Sequence, residues 1–304
     1  MPDPMPALAL VAVPGRRRQT LDVAREAERR GFTGIYVSSR FGNMDQCTAL
    51  AFATERLSIG TGIAPIYAST VEDFAQSAAY IHEVSGGRFR FGIGVAHAPS
   101  HTRMGVEAAV GKPLADTRAF VERYRSYQEF GELPPVVLAA LRKRMVALAG
   151  EISQGVIFAN ASRSHMAASL SALPAAKRRD PNFLVANMIP TCISDDVAAA
   201  RELCRRNLVR YTTLPNYRNY WKEAGYVDEM SAIEQALAAG REGDIPGLMS
   251  DRWLGDAALF GTAAQVRDGA AAWHEAGVTT LVVVPSSVAG NQMKAVEETF
   301  AAFA

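Results

Sequence analysis

Cysteine is scarce in this chain. The three present, Cys47, Cys192 and Cys204, are too few and too irregularly spaced for a disulfide framework or a zinc site, and a reducing cytoplasm is expected. An excess of one charge is missing too. The formal net charge is +1 with 21% charged residues, which leaves no electrostatic footprint for nucleic acid or an anionic membrane. The basic triplet Arg16-Arg17-Arg18 reads as a solvated helix entry. No apolar, uncharged run reaches the roughly 18 residues of a membrane span. The apolar stretch 7–13 lacks a basic leader and is too short to cross a bilayer, so it reads as a first strand. The glycine-rich fingerprint G-x-G-x-x-G of an open dinucleotide-binding sheet is absent after that strand. Val11-Ala12-Val13-Pro14-Gly15 stands there instead. Internal repeats and low-complexity tracts are also lacking.

What is present is an alternation. With 304 residues, 49% of them apolar, the chain can fill one large core, and α/β barrels reach this length as a single domain spanning 1–304. Short apolar runs predict strands at 8–13, 34–37, 57–61, 89–94, 135–139, 155–158, 183–191 and 279–284. Helical spacing falls between them. Leu21, Ala24, Ala27 and Glu28 share a face in 18–30, closed by Gly31. Phe74, Ala78 and Ile81 do so in 71–83, and Phe120, Val121 and Tyr124 in 114–129. Thr262 followed by Gln265 resembles a capping box opening a helix to Ala276. Strand–helix repetition means a parallel sheet, and runs apolar on successive residues mean strands buried on both faces. Eight units predict a closed (β/α)8 TIM barrel.

Two segments interrupt the rhythm, 95–111 after the fourth strand and about 211–256 after the seventh. Excursions at the C-terminal ends of barrel strands build active sites. The second holds Tyr211, Tyr217, Tyr220, Trp221, Tyr226 and Trp253, with a helical pattern over 233–241. These aromatics either wall a substrate pocket or pack the excursion onto the barrel.

Several stretches match a known family. Ala27-Glu28-Arg29-Arg30-Gly31-Phe32 leads into the second strand, followed by Thr54-Glu55-Arg56-Leu57-Ser58-Ile59-Gly60-Thr61-Gly62. Ser85-Gly86-Gly87-Arg88-Phe89 opens the fourth strand, and Gly111-Lys112-Pro113-Leu114 and a run from Met145 to Gly155 come later. Their order resembles the luciferase-like monooxygenase superfamily, and within it the F420-dependent oxidoreductases. The resemblance implies a bacterial-luciferase-like barrel holding a deazaflavin or flavin ring at its C-terminal mouth. The cofactor supplies the redox chemistry there and the protein positions it.

The resemblance assigns candidate residues strand by strand. The third strand ends Gly60-Thr61-Gly62-Ile63-Ala64-Pro65. A bulge is implied here with a non-prolyl cis bond between Gly62 and Ile63, making Thr61, Gly62, Ile63 and Ala64 cofactor contacts. Without the resemblance, a glycine at a strand end fits any tight turn. The second strand runs into Ser38-Ser39-Arg40-Phe41, where many F420-dependent relatives carry Asp-His. Ser39 can still hydrogen-bond a cofactor. Arg40 stays protonated and cannot be a general base; it either stabilises negative charge on the reduced ring or pairs with a surface carboxylate.

The fourth strand runs on as Gly94-Val95-Ala96-His97-Ala98-Pro99-Ser100-His101. His97 stands where glucose-6-phosphate-oxidising relatives place an acid/base glutamate, and imidazole suits proton transfer. Ser100 falls where those relatives have a cofactor-contacting asparagine. His101 and Arg103 share this loop, and a loop histidine is often merely solvated. His82, His165 and His274 fall in predicted helices and read as structural. No cluster has metal-ligand spacing, so no metal is expected. After the fifth strand, Ala139 and Ala140 keep the family's Ala-Ala, but Arg142 and Lys143 replace its Gly-Pro at the helix start that binds cofactor phosphate. The two cations could grip a phosphate or an oligoglutamate tail, or form a solvated helix start.

The leading expectation is therefore an F420 (deazaflavin)-dependent oxidoreductase that moves a hydride between cofactor and a small organic substrate. An FMN-dependent monooxygenase using oxygen and a reductase partner is the alternative. A non-catalytic cofactor carrier is the third reading, kept open by the substitutions at 39–40 and 142–143. The resemblance also implies a homodimer.

Overall fold

The computed structural model describes residues 5–11, 13–38, 42–106 and 111–303. Ten strands occur among them: β1 (Ala7–Leu10), β2 (Gly34–Ser38), β3 (Ser58–Gly62), β4 (Ala64–Pro65), β5 (Phe89–Gly94), β6 (Val136–Ala139), β7 (Gly155–Ala159), β8 (Leu184–Ile193), β9 (Leu259–Gly261) and β10 (Thr280–Ser286). All pair in parallel. β10 pairs with both β1 and β8, which closes β1-β2-β3-β5-β6-β7-β8-β10 into an eight-stranded barrel. The eight expected strands are all present. The first is shorter than expected and ends at Leu10. β4 continues β3 past a kink and pairs with β5, while β9 extends the far end of β8.

Strand periodicity explains the continuous apolar runs. In β1, Ala7 and Ala9 point into the barrel with Tyr36, Val137, Ile157, Ala186, Met188 and Val282. Leu8 and Leu10 point outward to the helices with Ile35, Val37, Phe91 and Phe158. The interior is filled mostly by small side chains around two large ones. Tyr36 needs Gly60, because a Cβ there would lie 2.7 Å from the Tyr36 ring.

Helices Arg17–Arg29, Val71–Val84 and Pro113–Arg125 cover the outside. The last stops short of the expected Glu129 and is followed by a 3₁₀ turn at Gln128–Phe130. The capping box is formed. Gln265 N donates to Thr262 Oγ1 (3.3 Å) and Thr262 N to Gln265 Oε1 (2.9 Å), opening the helix Ala263–Glu275. Both rhythm-breaking segments contain helices. The first holds Ala98–Met104, and the second holds Pro215–Glu223, Val227–Ala238, Ile245–Leu248 and Asp251–Ala257 after the long helix Val197–Thr212. Among the described residues no helix is long and apolar enough to cross a membrane.

Candidate active site

The C-terminal ends of the strands converge on a mouth whose floor is made of small residues. Ala139, Ala159, Ile63 and Val284 are partly buried there and pack on the interior cluster around Met188. Gly94 lies against them, since a Cβ on it would come within 2.8 Å of the Ala139 Cβ and 3.3 Å of Ile63 Cδ1. A Cβ on Gly62 would meet Met188 Sδ at 3.0 Å. Glycine and alanine thus keep this surface flat and apolar. The Gly62–Ile63 peptide is cis, and the Ile63 carbonyl accepts a hydrogen bond from Asn43 Nδ2 at 3.2 Å.

The neighbours of these residues point elsewhere. Thr61 is fully buried and its hydroxyl donates to the Gly92 carbonyl at 2.6 Å, tying β3 to β5. Ala64 and Ala140 belong to the outer core. Alternation along a strand explains this: one residue in two can face the mouth, so Thr61, Ala64 and Ala140 do not offer side chains to a ligand there. Ser39 and Arg40 lie outside the described residues.

The loop after β5 separates its two histidines. Ala96 has a positive φ of 58°, and His97 follows in extended conformation as the cap of helix Ala98–Met104. The His97 carbonyl accepts the N–H groups of Ser100 (2.7 Å) and His101 (3.1 Å). Its ring is half-buried and lies 5.5 Å from the Tyr217 ring. Burial first, and the neighbouring His101 second, hold the His97 pKa below its ordinary value, so the neutral imidazole predominates at neutral pH. His101 is buried, and its Nε2 is 2.5 Å from the Val95 carbonyl. A carbonyl only accepts, so this nitrogen carries the proton and His101 pins the loop. Ser100 Oγ accepts from Arg103 Nη2 at 3.2 Å.

At the end of β6 the two expected cations divide. Arg142 Nε and Nη2 both donate to Glu223 Oε1, at 2.9 and 2.6 Å. The alternatives expected for Arg142 are an anion grip or a solvated helix start; a carboxylate from the excursion takes two of its five N–H donors. Lys143 is exposed and begins the helix Lys143–Ile152, whose preceding residue supplies no side-chain cap. Met145 N donates to the Arg142 carbonyl at 3.0 Å, while the N–H groups at the very start of the helix stand beside the Lys143 ammonium, the kind of donors that suit an anion.

Sequence reasoning named the aromatics of the excursion but missed the residues after β7 that hold them. Asn160 has a positive φ of 54°, and its carbonyl accepts from Trp221 Nε1 at 3.2 Å. Ser162 N donates to Tyr220 Oη at 3.0 Å. The buried Asp256 accepts from Ser164 N, Ser164 Oγ and Tyr226 Oη at 2.7–2.8 Å. His165, read from sequence as a helical structural residue, sits instead in a 3₁₀ turn on this rim with its ring 5.6 Å from Tyr220. Burial is the first cause of its lowered pKa; nearby Lys143 adds to it, against Glu223 and Asp256. The aromatics of the excursion pack as a chain of rings, Tyr211–Tyr217–Trp221–Trp253, at centroid distances of 5.1, 5.3 and 4.8 Å. Packing is their main role, and Tyr217 is where that chain reaches His97. The only signal in sequence was their position, after the seventh strand.

Residues 6–280 match the luciferase-like monooxygenase family. The chain belongs to this family and is an oxidoreductase. It is similar, at 26% identity over 88% of its length and 90% of the relative, to a putative coenzyme F420-dependent oxidoreductase of Mycobacterium tuberculosis. It is 25% identical, over 90% of its length and 92% of the relative, to a 5,10-methylenetetrahydromethanopterin reductase of Methanolobus tindarius. Among solved structures, the F420-dependent tetrahydromethanopterin reductase of Methanopyrus kandleri superposes with a TM-score of 0.77 at 19% identity, covering 98% of this chain and 97% of that one.

Proposed function

We propose that this protein is an F420-dependent oxidoreductase that moves a hydride between the deazaflavin and a small organic substrate at the barrel mouth. The observation carrying this reading is one short segment. Ala139 is part of the flat floor at the end of β6, and Lys143 starts the next helix. A planar apolar surface and an anion-binding helix start are thus joined, which fits a flat ring bearing an acidic tail. The F420-dependent name of its Mycobacterium tuberculosis relative favours deazaflavin over flavin.

With deazaflavin bound, the chemistry supplied is two-electron hydride transfer. The chain's own residues do the rest. Gly62, Ile63, Gly94 and Ala139 offer the face against which a ring lies, and Lys143 with the helix N–H groups holds an anion. His97, neutral because buried, takes a proton from a substrate hydroxyl or returns one. Tyr217 backs its ring, and the fully buried Tyr220 and Trp221 hold the excursion in place beside it.

Titration of the purified protein with F420 and separately with FMN, followed by cofactor fluorescence, tests the assignment. Micromolar or tighter F420 binding with weak FMN binding is expected. The reverse preference would move it to an FMN-dependent monooxygenase. Binding of F420 without turnover over a panel of alcohols and enones would favour a carrier. The same reading includes a homodimer in a reducing cytoplasm. Phe52 and Tyr80, 67% and 51% exposed on the packed helices Asn43–Ala53 and Val71–Val84, support the first, and three buried free thiols the second. Light scattering should return twice the chain mass.

A further inference from the structure

We propose that the opposite, N-terminal end of the barrel holds a binding site for a small oxyanion, a phosphate or a carboxylate. A cavity of about 790 Å³ opens there between the ends of helices Val71–Val84 and Pro113–Arg125 and the start of β6. Its walls include His82, Arg90, Tyr124, Arg125 and Gln154. It is separate from the mouth: β5 carries Arg90 at this end and Gly94 at the other.

Two observations point to a ligand. The first is unmet hydrogen-bonding capacity. His82 and Tyr124 in the cavity wall are 8% and 1% exposed, and among the described residues neither His82 Nδ1 nor Tyr124 Oη has a partner; both atoms lie just beneath the cavity surface, so a small turn of the side chain brings either to a ligand. Buried polar atoms are rarely left unpaired, because desolvating them is costly. The second is how the longer side chains are anchored. Arg90 Nη1 is fixed by the Gly87 and Phe89 carbonyls at 3.0 and 3.2 Å, and Arg125 Nη2 by the Ile152 carbonyl at 2.7 Å. Gln154 Oε1 is taken by Val136 N at 3.0 Å. Each side chain is held by one atom and keeps N–H donors to spare. Spare N–H donors on two guanidinium groups, beside an amide whose acceptor is already used, are the chemistry that recognises an oxyanion.

The acids at this site do not reverse that bias. Glu83 is exposed, and Glu132 is 88% exposed at the rim, 3.7 Å from His82 Nε2. Water screens them and their side chains are free to turn outward, whereas the anchored donors cannot withdraw.

The His82 ring provides a local reporter. Its C–H resonances, assigned by their loss in His82→Gln, are followed by NMR at constant pH. Inorganic phosphate and citrate are titrated, with sodium chloride at matched ionic strength as the control. A saturable shift with phosphate, citrate or both, and none with chloride, is expected; which probe saturates identifies phosphate or carboxylate as the group recognised. Arg90→Met and Arg125→Met should each weaken binding at least about tenfold, the scale of a lost charge-assisted contact, with unchanged circular dichroism. Arg125 is exposed, so its variant keeps the test alive should Arg90→Met fail to fold. Shifts that do not saturate or that chloride reproduces overturn the site, and so does wild-type affinity in a folded Arg125→Met. Failure of F420 to bind at the mouth leaves this readout untouched.

Discussion

At the N-terminal end of the barrel, Arg88 and Glu28 are used up in holding backbone. Arg88 donates to the carbonyls of Ser85, Leu57, Ala51 and Thr54 and to the Thr54 hydroxyl, at 2.7–3.1 Å. Glu28 accepts the backbone N–H groups of Glu55, Arg56 and Leu57. Partial burial works to raise the Glu28 pKa, but those N–H groups outweigh it and hold the carboxyl below the usual range. At the mouth the pattern inverts. The floor is glycine and alanine with Ile63 and Val284, His97 makes a ring contact, Lys143 has no ion-pair partner among the described residues, and Ala96 and Asn160 have positive φ. Barrels place stability at the first end and chemistry at the second. The stretches that carry the family resemblance, around Glu28, Thr54 and Arg88, are mostly those of the stability end. The substitution at 142–143 belongs to the mouth. Membership of the family is thus written at one end of the molecule and its particular chemistry at the other.

That contrast can be broken by experiment. The largest effect should come from Arg88→Met, which strands several carbonyls at once. A loss of about 3–5 kcal/mol in urea denaturation is expected, with kcat of the remaining folded protein unchanged. A large fall in kcat at intact stability would place Arg88 in the chemistry and erase the division. His97→Ala should do the reverse, slowing turnover about 100-fold while the melting temperature and F420 affinity stay near wild type. An unchanged rate removes His97 from proton transfer.

Next in size is Ala139→Leu, which raises a side chain from the flat floor. F420 affinity should fall by about tenfold or more, the scale of a steric misfit of a kcal/mol or two, measured by the same fluorescence titration. Lys143→Ala should weaken F420 only by a few-fold and flatten its salt dependence. Glu223→Gln should strengthen binding modestly by releasing Arg142. No change with Glu223→Gln would mean that Arg142 does not reach the ligand even when free.

The smallest effect is a displacement along the pH axis. Because burial and His101 disfavour the His97 imidazolium, its base form persists as pH falls. The acid limb of the kcat profile should lie below the ordinary value of 6.5 and vanish in His97→Gln. The linked stability has the same sign: the contribution of a His97 kept neutral is present above the ordinary pKa and is lost as pH falls through the lowered one. A limb above that value would show that another group is titrating.

What the sequence determined by itself was everything carried by local pattern. Eight apolar runs became eight barrel strands because each is buried on both faces, so no polar alternation was needed to mark them. Thr262 and Gln265 cap their helix because the box closes within one turn. Gly62, Ile63 and Ala139 were named by the family resemblance, and they lie at strand ends that the apolar runs had located. Tertiary structure decided which side of a strand each neighbour faces, turning Thr61 into the sheet while Gly62 meets Met188. It also decided which cations stay free, since Arg142 is claimed by a carboxylate 81 residues away. The same holds for the histidines. His101 became a peg, His97 faced Tyr217, and His165 moved from an expected helix to the rim. These outcomes depend on contacts between segments far apart in the chain, which exist only once the barrel has closed and the excursion has folded across its end; no periodicity within a single segment records them.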